Sequence, residues 1–119
     1  MPTPSFRQLL VSHPHCARVQ VDRKGVVRSW NAGAQKIFGF SGSEVVGKKI
    51  ELIIPNELRA KHWRGFFQFV RTGTSALPES VVSEGLTKNG ERVAVVIAVR
   101  TLRDPSGRIS GIEAAMIPA

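Results

Sequence analysis

Hydrophobic and polar residues alternate near both ends of this chain. Over residues 17–22 every second side chain is apolar, which is the period of a strand with one buried face. A turn over 23–25 and a further stretch over 26–30 predict a β-hairpin. Three more strand-like stretches follow in the second half of the chain, at about 79–86, 91–102 and 108–117. The pattern therefore predicts five strands in two groups.

The region between the two groups has the spacing of helices. "NAGAQKIFGF" predicts a short helix, and Ser41 with Glu44 has capping-box spacing for another. A longer helix is expected after Pro55, with Asn56 as its N-cap. Near the N-terminus, "PSFRQLLVS" has room for about two helical turns. The segment "TGTSALPES" interrupts the pattern before the last three strands.

Two turn signals join those last strands. Asn89-Gly90 is a strong hairpin signal, and "DPSG" over 104–107 has the residues of a tight turn. Two strands, several helices and three strands in that order predict an α+β domain with an antiparallel sheet. We expect residues 1–14 to be an N-terminal extension with a short cap helix, and 15–119 to be one domain.

Composition narrows the classes of function. The chain has 119 residues and a formal net charge of +8, but its basic residues are dispersed and no run reaches five. Direct nucleic-acid binding is therefore not expected. Cys16 is the single cysteine, and no apolar stretch has the length of about 20 residues that a membrane span needs. We expect a cytoplasmic protein without a membrane segment. Because nucleophile, phosphate-loop and kinase motifs are lacking, we do not expect an enzyme.

One histidine lies within the apolar face of the expected long helix. At about 100° per residue, Leu58, His62, Phe66 and Phe69 fall in one arc. A lone imidazole in such a place is more often a packed core residue than a ligand. A neutral imidazole among aromatic side chains is also a suitable donor for iron. The pattern alone leaves both interpretations open.

Two long stretches resemble the PAS domain family. "VDRKGVVRSWNAGAQKIFGFSGSEVVGKKIELIIP" is similar to the N-terminal half of a PAS domain, including its hairpin and short helices. "LTKNGERVAVVIAVRTLRDPSGRISGIEAAMI" is similar to the C-terminal half. The resemblance covers about residues 15–117 and implies the PAS fold, a five-stranded antiparallel sheet with short helices and one longer helix packed on one face.

Within that family, the long helix resembles the haem-binding subclass of rhizobial and direct oxygen sensors. "LRAKH" places His62 where these sensors carry their axial histidine, so the resemblance implies haem b and His62 as the iron ligand. It also implies that the haem would be lined by six apolar residues. They are Leu58, Phe66, Phe69, Ile97, Val99 and Val81. Rhizobial sensors carry an arginine that holds bound oxygen where Val81 stands here, which departs from their pattern.

The resemblance leaves other functions open. Flavin-binding light sensors carry a cysteine in an "N-C-R-F-L-Q" motif, whereas Asn31 is followed here by "AGAQ", so no flavin is expected. A cofactor-free interaction module, or a sensor of another small organic ligand, remains an alternative. With haem, the signal would be redox state or a diatomic gas (O2, CO or NO). We expect relay to a separate signalling protein or within a homodimer. The homodimer is expected because Phe6, Leu9 and Leu10 of the first helix have little left to cover in so small a domain.

Overall fold

A computed structural model of the chain describes residues 3–74 and 79–119. Its elements follow the predicted order, two strands, helices and three strands. They are α1 (Phe6–Ser12), β1 (Ala17–Asp22), β2 (Val27–Trp30), α2 (Ala32–Phe38), α3 (Gly42–Val45), two 3-10 helices (Ile50–Ile53 and Asn56–Leu58), α4 (Arg59–Thr72), β3 (Ser80–Leu86), β4 (Arg92–Arg103) and β5 (Ile109–Pro118). Residues 75–78 of the predicted interrupting segment lie outside the described residues.

The five strands form one antiparallel sheet in the order β2-β1-β5-β4-β3. The last strand in sequence is thus the central one, paired with β1 on one side and β4 on the other. Both predicted turns are confirmed, with Gly90 and Gly107 at positive φ (82° and 87°), a conformation that costs glycine little. The predicted α+β fold with a five-stranded antiparallel sheet is confirmed.

The helices from α2 to α4 cover one face of the sheet, which we call the inner face. Alternate residues of β1, β4 and β5 point into this layer, as the period of two requires. The principal core includes Val19, Val95, Ile112 and Met116 from the strands, with Phe38 from α2. This side of the sheet contains the larger of the two hydrophobic clusters in the described ranges.

The opposite, outer face is partly covered by α1. Phe6 and Leu9 are 8% and 1% exposed, and they pack with Cys16, Ala98 and Ala115. The expectation that Phe6 and Leu9 have little of the domain to cover is therefore wrong. The sequence pattern predicted the helix, but it could not show that Ala98 and Ala115, far from α1 in the chain, leave room for it. These two side chains already have an intramolecular partner, so they give no argument for a homodimer.

The start of α4 differs from the prediction. Asn56 lies inside a 3-10 helix, whereas an N-cap residue has extended backbone. The helix begins at Arg59 after Leu58, and Leu58 makes no capping hydrogen bond through its side chain. The guanidinium of Arg59 donates to the carbonyl of Ile54 instead (3.0 Å). Among the described residues, no helix is long and apolar enough to cross a membrane.

Candidate functional site

Helix α4 directs His62 toward the interior. Phe66 and Val70, one and two turns later, are 8% and 5% exposed, while His62 itself is half-buried. Arg64 and Gln68 lie on the exposed side. The predicted amphipathic helix is therefore confirmed, with its imidazole on the buried stripe.

Aromatic rings surround the imidazole of His62. Its ring centroid is 5.0 Å from that of Trp63, edge on, and 6.0 Å from that of Phe66. The Nδ1 atom is buried and has no hydrogen-bond partner in the described part of the chain. Burial lowers the pKa of His62, and the nearby carboxylate of Glu51 opposes that shift. The imidazole is accordingly neutral at pH 7 and retains a lone pair on one nitrogen.

Trp63 connects this helix to two neighbouring segments. Its indole Nε1 donates to the carboxylate of Glu51 (2.9 Å), and its ring packs so closely on Gly25 that a Cβ there would overlap it. The ring of Phe67 stacks on Trp63 at 5.4 Å and 20°, and the ammonium of Lys49 lies 5.6 Å from the Trp63 ring centroid.

The other predicted site residues lie in or beside the same layer. Phe66 is part of the principal core, and Phe69, Ile97 and Val99 pack against it half-buried. Val81 is half-buried and pairs directly with Ile97 across β3 and β4.

Leu58, the last of the predicted lining residues, is half-buried at the end of a 3-10 helix.

Ser80, the residue before Val81 in β3, pairs with Ala98 and is 3% exposed. Ala98 belongs to the cluster under α1, and successive strand residues point to opposite faces. The Ser80 hydroxyl therefore does not share the face of Val81.

Two grooves lie on the surface of the described part of the chain. One of about 370 Å³ runs between α1 and the outer face, lined by Gln8, Leu9, Val96 and Ile117 among others. A smaller one, about 210 Å³, lies between the end of α2 and the β3–β4 turn. His62 lines neither of these two grooves.

A buried ionic cluster on the outer face was missed by sequence reasoning. Glu113 of β5 is 1% exposed and accepts hydrogen bonds from Arg18 (3.0 and 3.1 Å), Gln20 (3.0 Å) and Arg100 (3.0 and 2.7 Å). The guanidinium of Arg100 also lies 4.4 Å from the ring centroid of Phe6 in α1. A single carboxylate within the apolar stretch "GIEAAMI" was the available signal for this cluster.

Comparison with known proteins agrees with this architecture. A family model described as PAS fold matches residues 5–118. Three solved structures are similar. A PAS domain from Colwellia psychrerythraea has a TM-score of 0.76 at 14% identity, with 95% of this chain and 93% of that chain covered. A light-oxygen-voltage domain studied with a flavin analogue has a TM-score of 0.73 at 17% identity, with 95% of this chain and 82% of that chain covered. The PAS domain of the RpfR quorum-sensing receptor of Cronobacter turicensis, in complex with C12:0, has a TM-score of 0.68 at 17% identity, with 87% of this chain and 93% of that chain covered.

These structural similarities concern the fold, since the identities are low. The family match spans almost the whole chain, from α1 through β5. The more specific resemblance to haem-binding sensors stays a prediction. On the evidence of the family match and the five-stranded sheet, the chain belongs to the PAS fold family.

Proposed function

We propose that this PAS domain is a sensory module that binds haem b, with His62 as the axial ligand of the iron. The observation that carries the proposal is the buried Nδ1 of His62, which lacks a hydrogen-bond partner in the described ranges. A buried polar atom without a partner costs about 1–3 kcal/mol. A metal or ligand donor that engaged this imidazole would remove part of that cost.

The chemistry of the donor suits the iron of haem. Iron binds neutral imidazole, and burial holds His62 in that form at pH 7. Phe66 and Phe69 from α4 would offer apolar contacts on the helix side, and Ile97 and Val99 of the inner face on the sheet side. Leu58 and Val81 would line its margin. When bound, haem would supply an iron that changes redox state or takes up a diatomic gas.

The residues on the sheet side bear on the signal. The side chain of Val81 donates no hydrogen bond, and the hydroxyl of Ser80 lies on the outer face with Ala98. Ser83, two residues after Val81, lies on the same face of β3 as Val81 and carries a hydroxyl. Bound oxygen is polar and is stabilised by a donor, which Ser83 and not Val81 would offer. We therefore propose redox state or a diatomic gas (O2, CO or NO) as the signal.

We propose that the domain has no catalytic activity of its own and acts through a partner. Homodimerisation remains part of this proposal, although the buried side chains of α1 do not support it. Val82 on the outer face is 70% exposed and pairs across the sheet with Val96, which lines the larger groove. This uncovered apolar area is where a second copy would pack.

A cofactor-free interaction module is the second candidate function. Packing at His62 favours it, because the rings of Trp63 and Phe66 lie against the imidazole. A small organic ligand is the third alternative, and the RpfR relative is described in complex with C12:0. We expect no flavin here despite the light-oxygen-voltage relative, since Cys16 lies under α1 and not on the inner face.

Titration with hemin separates these functions. Purified protein would be titrated and its Soret band followed, beside His62→Ala and the control His15→Ala, which removes an exposed histidine before β1. We expect saturation at one haem per chain in the wild type and in His15→Ala. The Soret band should be lost or shifted in His62→Ala. Far-UV circular dichroism would establish that each variant is folded.

The contrary result is also specific. A broad absorption like that of free hemin, equal in all three folded proteins, would exclude His62 as a ligand and favour the cofactor-free module. If His62→Ala fails to fold, His62→Gln keeps much of the side-chain volume and provides the same comparison.

A further inference from the structure

Ion pairing divides the basic residues of this protein into two sets. Arg18, Arg28, Lys88, Arg92 and Arg100 each have a carboxylate partner within 4 Å. A second set makes no such pair among residues 3–74 and 79–119, and three of its members lie near the rings of Trp63 and Phe67. They are Lys24, Lys49 and Arg64.

Helix spacing and contacts bring these three residues to one region of the surface. Arg64 precedes Phe67 by three residues on α4, a spacing that places two side chains next to each other on a helix. Lys24 precedes Gly25, on which the indole packs, and Lys49 lies over the same ring. All three basic residues are exposed. We call this region, with Trp63 and Phe67, the basic-aromatic surface.

An exposed aromatic ring is fixed within this surface. Phe67 is 45% exposed, an unusual position for so large an apolar side chain. It is held by stacking on Trp63, which is in turn anchored on Gly25 and by the hydrogen bond to Glu51. A rigid aromatic side chain loses little entropy on binding, which is a common property of residues that dominate protein interfaces.

We propose that the basic-aromatic surface is a docking site for an acidic segment of a partner protein, with carboxylates for the lysines and Arg64 and an apolar side chain against Phe67. The charge argues for it, because the side chains of Lys24, Lys49 and Arg64 form no salt bridge in the described part of the chain, and the carboxylate of Glu51 already accepts from the indole. The remaining positive charges attract an anionic partner and speed its association.

A polypeptide fits this surface better than a nucleic acid does. Among the described residues Phe67 is the one exposed phenylalanine or tryptophan ring, whereas single-stranded nucleic acids stack successive bases on several rings. Two of the three cations are lysines, whereas bidentate phosphate and base contacts favour arginine. A partner that offers both carboxylates and an apolar side chain would use every feature of the surface.

This inference goes beyond haem binding and does not depend on it. The surface involves the exposed side of α4, whereas His62 lies on the buried side. The two adjoin at Trp63, whose ring contacts that of His62. Hemin binding and partner docking can therefore be measured separately on one protein.

Binding to a synthetic peptide tests the proposal. The probe is a fluorescein-labelled 15-residue peptide of Glu and Asp with two Phe residues, and its companion has Ser at both Phe positions. Anisotropy at low salt would be compared for wild type and for Lys49→Glu/Arg64→Glu. We expect the double variant to bind at least about tenfold more weakly. Phe67→Ser should lose the preference for the Phe-containing peptide.

A matched double variant tests whether binding depends on the position of the charges and not on the net charge. Arg7→Glu/Lys36→Glu changes the net charge equally at exposed positions in α1 and α2, and it should bind the Phe-containing peptide like the wild type. Equal weakening in both double variants would overturn the proposal, since binding would then follow net charge alone. Tighter binding of a 20-base-pair DNA duplex, or of vesicles rich in phosphatidylglycerol, than of the peptide would also overturn it.

Discussion

Burial disfavours the charged form of both His62 and Glu113, but only Glu113 has hydrogen-bond donors that outweigh this effect. Both are ionisable side chains within the fold. Nδ1 of His62 has no partner in the described ranges, and burial lowers its pKa despite Glu51. Burial alone would raise the pKa of Glu113, but hydrogen bonds from Gln20, Arg18 and Arg100 outweigh it and the pKa is lowered.

The lowered pKa of His62 predicts a loss of stability in mild acid. Unfolded chains take up a proton on this imidazole near pH 6.5, while the folded protein takes it up at lower pH. The unfolded state therefore binds more protons between these two values, and the free energy of unfolding falls as the pH drops through that interval. Urea unfolding from pH 7.5 to 5 should show this fall in the wild type and a smaller one in His62→Gln. An identical pH dependence in both would contradict it.

Folding favours the ionised form of Glu113, whereas it favours the neutral form of His62. The contribution of Glu113 to stability is therefore complete above about pH 4.5 and is lost as the pH falls toward its lower folded pKa. Glu113→Gln should lower the free energy of unfolding at pH 7 by about 1–3 kcal/mol, because two arginines lose their buried acceptor.

The effect of Glu113→Gln should shrink at pH 3, since the unfolded wild-type chain is then protonated at Glu113 while the lowered pKa of the folded state opposes protonation. Glu91→Gln, at an exposed position before β4, is the control and should change stability little at either pH. A loss of equal size at pH 7 and pH 3 would mean that packing, and not charge, is what Glu113 contributes.

Among single residues, the sequence alone identified His62 as a candidate but did not reveal the buried cluster at Glu113. Helical spacing placed the imidazole on the apolar stripe with Phe66, which was enough to predict burial. Glu113 bonds to Arg18, which is 95 positions away in the chain, and to Arg100, which is 13 positions away. Only the pairing of β5 between β1 and β4 brings them together. Local periodicity carries no information about that pairing.

Among the elements, Gly33 of α2 and Gly65 of α4 occupy contrasting environments. A Cβ on Gly33 of α2 would lie 2.5 Å from the carbonyl oxygen of Cys16, whereas one on Gly65 of α4 would meet nothing within 4 Å. The close approach of α2 to β1 therefore requires a glycine, since the obstacle is backbone and cannot move cheaply. In α4 the glycine only lowers helix propensity.

Alanine at each position makes a matched test. Gly33→Ala should destabilise the protein by about 1–3 kcal/mol, in the range for an overpacked site. Gly65→Ala should stabilise it by up to about 1 kcal/mol, because alanine is the better helix former. Thermal and urea unfolding would measure both. Similar losses in the two variants would contradict the contrast in packing.

The strands were more predictable than the helix ends. Alternation of apolar side chains and the turns at Asn89-Gly90 and 104–107 place β3, β4 and β5 within one or two residues, because period and turn chemistry are both local. The start of α4 was misplaced because Asn56 is a good cap by residue type, yet the chain after Pro55 first forms a 3-10 turn. That choice depends on where the helix must lie against the sheet.

In the molecule as a whole, the sheet lies between two unequal layers. The inner layer holds the candidate haem site, and the outer face holds α1 above Cys16. The contact of Arg100 with both Glu113 and Phe6 links the docking of α1 to the central strand. A change in the sheet produced at the inner face could thus reach α1 on the other side, which is the kind of coupling that a sensory domain requires.

The single thiol of the chain reports whether α1 is docked. Cys16 is 6% exposed beneath Phe6 and Leu9, and burial raises its pKa, with Arg18 opposing the shift. A buried thiol with a raised pKa reacts slowly. We expect Leu9→Ala to increase the rate of reaction with Ellman's reagent at least about tenfold, since it leaves a cavity in the contact worth about 2–5 kcal/mol. Val11→Ala, at a side chain 74% exposed on the same helix, should leave the rate unchanged.

Glu113→Gln tests the link from the sheet to the helix with the same thiol. If Arg100 is held over Phe6 by its bonds to Glu113, this substitution should also speed the reaction, although it removes no contact of α1 with Cys16. The rate would be measured under conditions where circular dichroism shows the fold intact, so that global unfolding is not the route to the thiol. A faster reaction in Leu9→Ala but not in Glu113→Gln would mean that α1 docks by apolar packing alone, and the central strand would then have no ionic connection to the helix on the outer face.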